Sequence, residues 1–452
     1  MKLLTRLAHC SFHRLSLSRC RPGLQSNHLV PDCRRLTESS DNPVAAATMD
    51  TGWVLLHSDD CQWNDSIVAS AKTAAESRTS AGQRLRVAFE LAAPPAISLL
   101  HYKCVEAARK DKYGYGLNIV ATHGDTVLLR MWHRRKPSPP AGPYDHFVFR
   151  SSAAGRPPSL SLLPALKVMK KYEEGIGDPN CRPLLNEDTG ILRRSDDGEF
   201  LVARIEVLLE HSEGRGVANL CMLRPGCSHW YEKRGVPIIY EEGDKVTGSS
   251  PDMAIPVGNR FVCWVVHHSG FILCDMAHDA SPKLRHVHLP GTPYDPNYYT
   301  DDLPPLTDSR SMMGAAGASS LRFVAIEPRC CCGGFGRSSC PRSEYAFTVT
   351  TWTLTLTMDE PMAWVKEGVM DCEELWTLPG YEGIPRVHLQ CPVVSLDNPD
   401  IVCFRVVGSM ADRKAWMIRV DTRSKVLLGA VQCTTDPSKS YDSDDLRQAK
   451  FQ

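Results

Sequence analysis

The chain lacks an excess of either charge: 52 Lys and Arg residues balance 52 Asp and Glu residues over 452 positions. A dedicated nucleic-acid binder carries a basic surplus that neutralises phosphate, so nucleic acid is not the expected partner. Long apolar runs are missing as well. No stretch reaches the roughly 18 apolar residues that a membrane-spanning helix needs. The best run, Phe261–Met276, is broken by His267, His268 and Ser269. The common catalytic signatures are also missing. No Gly-x-Ser-x-Gly nucleophile elbow occurs. Tyr113-Gly114-Tyr115-Gly116 lacks the third glycine and the following helix of a dinucleotide-binding loop. The N-terminus has no clean apolar core with a small-residue cleavage site, so the 18 cysteines are read as reduced rather than as a secreted disulfide framework.

What the sequence does have is turn chemistry. Its 32 prolines and 31 glycines are spread along the chain. They separate short runs of strand character, which suits many short strands better than a helix bundle. Arg84–Leu91 alternates polar and apolar residues as a half-buried strand does. Leu117–Trp132 reads as two strands around His123-Gly124-Asp125, and Ile191–Leu209 as two strands around Asp196-Asp197-Gly198. Phe261–Met276 is a third hairpin with His267-His268-Ser269-Gly270 at its turn. Leu321–Ile326, Phe347–Leu356, Val393–Val407, Trp416–Val420 and Val426–Val431 continue the pattern, and Trp364–Trp376 reads as either a strand or a short helix. Small antiparallel sheets at these spacings cannot bury both faces alone. Radial stacking buries them, so the expected fold is all-β, a β-propeller of short antiparallel four-stranded blades, about six in number.

Residues 1–48 differ from the rest. They are basic, rich in Ser and Leu and free of acids before Asp32, the composition of a transit peptide or of an upstream gene-model extension. Residues 49–437 are expected to form the propeller, and residues 438–452 a disordered polar tail.

Six phrases in one order carry a family resemblance: IVATHGDTVLLRMW, GILRRSDDGEFLVARIEVL, FVCWVVHHSGFILCDM, LRHVHLP, SLRFVAIEP and AFTVTTWTL. Together they resemble the grass-expanded plant family called domain of unknown function 1618, most densely over residues 257–385. The family is similar in pattern to the kelch-like propellers found behind F-boxes. The resemblance implies a propeller and no particular reaction. Residues 1–48 show no leucine-rich F-box helix, which weakens the analogy with ubiquitin-ligase receptors.

Several constellations invite chemistry. Cys330, Cys331, Cys332 and Cys340 could supply four thiolates, but three adjacent cysteines do not converge on one ion, and no Cys-x-x-Cys pair is present there. A variable loop is the expected reading. His267 and His268 are adjacent and would point to opposite faces, so a solvated turn is expected. Cys221, Cys227 and His229 lack an evident fourth ligand. Arg134-Arg135-Lys136 opens a proline-rich loop. Trp264, Trp352 and Trp416 lie in strand-like runs and are expected to pack between blades, with Cys263 and Cys274 as core fillers.

No catalytic, cofactor-binding or metal-binding residue is assigned on this basis, and no cofactor is expected. The expected function is a monomeric, non-catalytic protein-interaction scaffold using loops 134–143, 291–317 and 329–344. The alternative is a carbohydrate-binding or enzymatic propeller with its site at the central channel. A cytoplasmic or nuclear location is expected, or a mitochondrial one if residues 1–48 are a transit peptide.

Overall fold

The structure is a computed structural model. It describes residues 52–62, 72–104, 115–133, 144–152, 156–166, 182–195, 199–210, 215–241, 250–278, 280–291, 309–314, 319–330, 345–408, 414–434 and 446–451. The chain divides into two compact units, Met1–Asn42 and Pro43–Gln452. The first lies outside the described residues, as does the rest of the expected extension to residue 48.

The described residues form an all-β propeller built from sequential four-stranded meanders, antiparallel within each except in the first, where the opening strand Val54–Gln62 pairs parallel with Ile97–Cys104. The first contains β1 (Val54–Gln62), β2 (Ala75–Arg78), β3 (Arg84–Glu90) and β4 (Ile97–Cys104). The second contains β5 (Tyr115–His123), β6 (Thr126–His133), β7 (Asp145–Arg150) and β8 (Ser159–Leu162). The third contains β9 (Thr189–Arg193), β10 (Phe200–Glu210), β11 (Arg215–Leu223) and β12 (Tyr231–Ile239). The fourth contains β13 (Met253–Val257), β14 (Phe261–Val266), β15 (Gly270–Asp275) and β16 (Lys283–His288). The fifth contains β17 (Arg310–Gly314), β18 (Ser320–Pro328), β19 (Phe347–Thr355) and β20 (Val365–Asp371), followed by a short helix α1 (Cys372–Trp376). The sixth contains β21 (Leu389–Val394), β22 (Ile401–Val407), β23 (Lys414–Asp421) and β24 (Val426–Thr434). A last strand, β25 (Leu446–Ala449), returns to the first sheet, whose order is β2-β3-β4-β1-β25. The third and fourth sheets touch through a short parallel pairing, Ile238 with Leu284 and Ile239 with Arg285.

The second and third strands are largely apolar on both faces because each sheet is covered on both sides there, whereas the outer strands β8, β12 and β20 are mostly exposed. In β14, Phe261, Cys263 and Val265 face the core shared with the fifth meander. Val262 and Trp264 of the same strand face the core shared with the third. β18 repeats the logic, with Leu321, Phe323 and Ala325 on one side and Val324 and Ile326 on the other. Alternation of side chains along a strand sends odd and even positions to opposite faces. A strand covered twice therefore reads as a continuous apolar run. Each pair of consecutive meanders shares one core, and the sixth closes on the first through Trp53, Leu55, Val393, Cys403 and Met417. The described ring is thus closed. Complete burial of a side chain such as Phe271 or Phe323 stabilises by about 1.5–3 kcal/mol.

Five local expectations change. The small and polar residues of 69–81 predict a loop, yet the stretch contains β2, and the expected long loop 291–317 contains β17. Trp364–Trp376 is both of the alternatives in turn, a strand and then a helix, because Asp371 caps the helix and Glu374 returns a bond to the cap backbone. Phe261, Leu321 and Val393 read from the sequence as starts of equivalent strands in successive units, and this equivalence fails at its second step. Phe261 opens β14 and Ser320 opens β18, both second strands, but Val393 lies in β21, a first strand. The fifth change falls in the tail. Residues 438–452 were expected to be disordered, yet Leu446–Ala449 pair with Val54–His57 of β1. Ala449 and Phe451 are buried there, and Phe451 packs on Phe89 and Phe149. A strand contributed from the far end of the chain removes an edge that would otherwise be open.

Candidate functional site

In each of meanders two to six the first strand is innermost. These inner strands lie side by side, β5 with β9, β9 with β13, β13 with β17 and β17 with β21. Antiparallel pairing then sorts the connections onto two rims. Connections between second and third strands, and between successive meanders, meet at the rim where the inner strands begin. Connections between first and second strands, and between third and fourth, meet at the rim where they finish. The stretches 134–143 and 329–344, and the part of 291–317 that precedes β17, have flanking strand ends at the first, N-terminal rim, whereas the residues after Gly314 belong to the opposite rim. The opposite rim carries short turns such as Gly124-Asp125, where Gly124 adopts φ 57°.

The best-formed polar cluster of the N-terminal rim joins the fourth and fifth meanders. Asp252 immediately precedes β13. Its Oδ2 accepts the backbone N–H of His267 at 2.7 Å and lies 3.0 Å from the ring Nδ1. Arg310, the first residue of β17, donates from Nη1 to the His267 carbonyl at 2.6 Å. Burial alone would raise the Asp252 carboxyl, but the ring and backbone donors of His267 outweigh it and hold Asp252 below its ordinary value. His267 itself is only 3% exposed, with Nε2 buried and without a hydrogen-bond partner; Ser269 Oγ is in the same condition.

The same rim repeats this self-pairing elsewhere. Asp188, just before β9, accepts from Arg204 Nε at 2.8 Å and from the Thr189 hydroxyl at 2.7 Å, while its carbonyl accepts from Trp264 Nε1 at 2.9 Å. Arg182 pairs with Glu206 at 3.1 Å. Arg329 pairs with Asp371 at 2.7 Å, at the start of α1. These carboxylates are engaged by cations of the protein itself, which ties neighbouring elements of the rim together.

The singled-out residues disperse. His267 is a correction: it is buried and bound, because Asp252 sits beneath the turn, whereas His268 alone of the pair is exposed. Cys221 is buried in β11, where burial pushes its thiol up, while Cys227 and His229 are exposed in the following connection. Cys330 is half-buried after β18; Cys331, Cys332 and Cys340 lie outside the described residues, as do Arg134, Arg135 and Lys136. Among the described residues no group of three or more His, Cys, Asp or Glu could hold a metal ion. Tyr115 and Gly116 open β5 as strand residues, and a Cβ at Gly116 would lie 2.4 Å from the Trp132 ring, so this glycine admits a tryptophan across the pair. Trp264 and Trp352 are buried in cores between sheets, and Trp416 packs partly into one. Cys263 and Cys274 are fully buried core members, on opposite faces of the fourth sheet. Sequence reasoning passed over Asp252, Asp188 and Arg310. Their common signal is position: each stands at or just before the start of an inner strand.

Residues 264–403 match the family model described as Protein of unknown function (DUF1618). The match supports the DUF1618 resemblance and spans β14 to β22, including the turn of His267 and the strand of Arg310. No curated protein matches the chain. Among solved structures, the α-L-arabinofuranosidase Arb93A of Fusarium graminearum, in complex with an iminosugar inhibitor, is 12% identical. That alignment covers 72% of this chain and 94% of the other, with a TM-score of 0.24. The fission yeast SREBP–SCAP binding-domain complex is 11% identical, covering 82% of this chain and 81% of the other, with a TM-score of 0.26.

Proposed function

We propose that the protein is a non-catalytic interaction scaffold that binds a protein partner at its N-terminal rim. The observation behind this reading is topological. The strand ends flanking 134–143, 329–344 and the portion of 291–317 before β17 share that rim, although the three stretches are far apart in sequence. Loops on a rigid scaffold are where binding residues concentrate. Two acids of the described rim are paired with the protein's own cations, Asp188 with Arg204 and Asp371 with Arg329.

The test replaces 134–143, 292–308 and 331–344, leaving β17 intact, each with a Gly-Ser linker of equal length and measures partners recovered by proximity labelling in the native tissue. A matched replacement of the opposite-rim turn 276–282 serves as control. A partner lost on the rim replacements and kept in the control supports the scaffold reading. Partners indifferent to all replacements, or turnover of glycosides by the unmodified protein, would overturn it.

A further inference from the structure

Two buried histidines tie the second meander to the third, one near each rim. His123, at the end of β5, accepts through Nδ1 the backbone N–H of Arg193, at the end of β9, at 2.8 Å. His146, in β7, accepts through Nε2 the backbone N–H of Leu184, in the approach to β9, at 3.0 Å. A ring nitrogen that accepts an N–H must be unprotonated. Both bonds therefore exist only while the rings are neutral.

The surroundings resist protonation. Around His123 stand Arg193, which repels an imidazolium, and Asp125, which attracts one; Arg150 lies near both. Around His146 stands Arg130, which repels an imidazolium, with Glu187, Asp188 and Tyr144 grouped about that guanidinium. Arg130 Nη1 also donates to the Leu184 carbonyl at 3.3 Å, so Leu184 is gripped at both its backbone groups. Burial, reinforced by the neighbouring arginine, lowers His123 to about 4 and His146 to about 3.

The apolar part of this seam has a distinct composition. Every other core contains an aromatic ring less than 2% exposed, such as Phe89, Trp264, Phe271, Phe347 or Trp53. The core between the second and third meanders has none among its described residues; Phe200 and Trp230 pack against it only partly buried.

We propose that the seam between the second and third meanders is an acid-released joint, at which protonation of His123 and His146 releases the Leu184 and Arg193 amides, leaving the weaker Arg130–Leu184 and Arg193–Asp125 contacts to hold the seam, and lets the ring part. In the parted state both rings meet water and titrate near an ordinary histidine. Acid then favours the parted state. Between pH 7 and pH 5 the opening equilibrium should rise roughly 20-fold for each histidine released, and by the product if both are.

The test is hydrogen exchange on the full chain at pH 7, 6 and 5, read by mass spectrometry and corrected for the intrinsic chemical rate. Peptides reporting the Leu184 and Arg193 amides should lose protection by a factor of 20 or more, while peptides of β14 and β18 hold theirs. The double variant His123→Gln, His146→Gln keeps a neutral oxygen acceptor at each place and should flatten the response. Equal loss of protection around the ring, no loss at the seam, or an unchanged response in the variant would each overturn the proposal. Should the variant fail to fold, the comparison of seams in the native chain decides alone.

Discussion

The seam between the fourth and fifth meanders and the seam between the second and third perform the same task with different chemistry. The former is filled by Phe261, Phe271 and Phe323, with Trp352 and Trp364 against them. The latter holds small aliphatic side chains, such as Val120, Ala121 and Val148, between two histidine bonds. Aromatic burial is insensitive to pH and large per residue. Hydrogen bonds to neutral imidazole are specific but conditional on protonation. One ring thus contains joints of different acid sensitivity, and sheet pairing alone does not reveal which is which.

The comparison can be broken most severely at the closure. Truncation after Thr434 removes β25, the contacts of Phe451 with Phe89 and Phe149, and the Gln448 bond to the Val394 carbonyl. Loss of a whole strand should lower the denaturant midpoint more than any substitution below, with unfolding starting at the first and sixth meanders. Next comes Phe323→Ala, which should cost about 3–5 kcal/mol by chemical denaturation at every pH. A pH-dependent loss there would erase the distinction between the seams.

Acid titration of the unmodified protein is the third probe. The folded pKa values of His123 and His146 lie below the unfolded value of about 6.5. Their stabilising contribution is therefore complete above about pH 6.5 and is lost as pH falls towards about 4 and about 3. His123 alone should contribute roughly 3 kcal/mol to that loss, and His123→Gln should remove its share of the slope in urea denaturation curves. The smallest effect sharpens the aromatic side. Asp371→Ala removes the cap of α1 and the partner of Arg329, and should lower the unfolding free energy at neutral pH by about 1 kcal/mol. Because Asp371 is held below the usual carboxylate value, the acid slope should change only below about pH 4 and stay unchanged where the histidines begin to titrate.

Much of the fold was legible because it is local. FVCWVVHHSGFILCDM folds as the β14–β15 hairpin that its turn residues imply, with Val266 opposite Gly270. The His123-Gly124-Asp125 reading placed a turn where His123 pairs with Thr126. The polar readings fared worse. His267 is buried because Asp252, fifteen residues upstream, supplies the acceptor. Arg310 was passed over because β17 is short and sits inside a stretch rich in Pro, Asp and Ser.

The sequence by itself determined that the chain is built of short antiparallel strands with apolar residues on both faces, since side-chain alternation and turn chemistry operate over a few residues. Only the tertiary structure decided that Leu446–Ala449 close the ring on β1, and that His123 and His146 are neutral acceptors for Arg193 and Leu184. Those outcomes depend on groups 38 to 70 residues apart for the histidines, and on opposite ends of the propeller for the closing strand. Burial and pairing at such separations arise from how sheets stack, and local pattern carries no record of that.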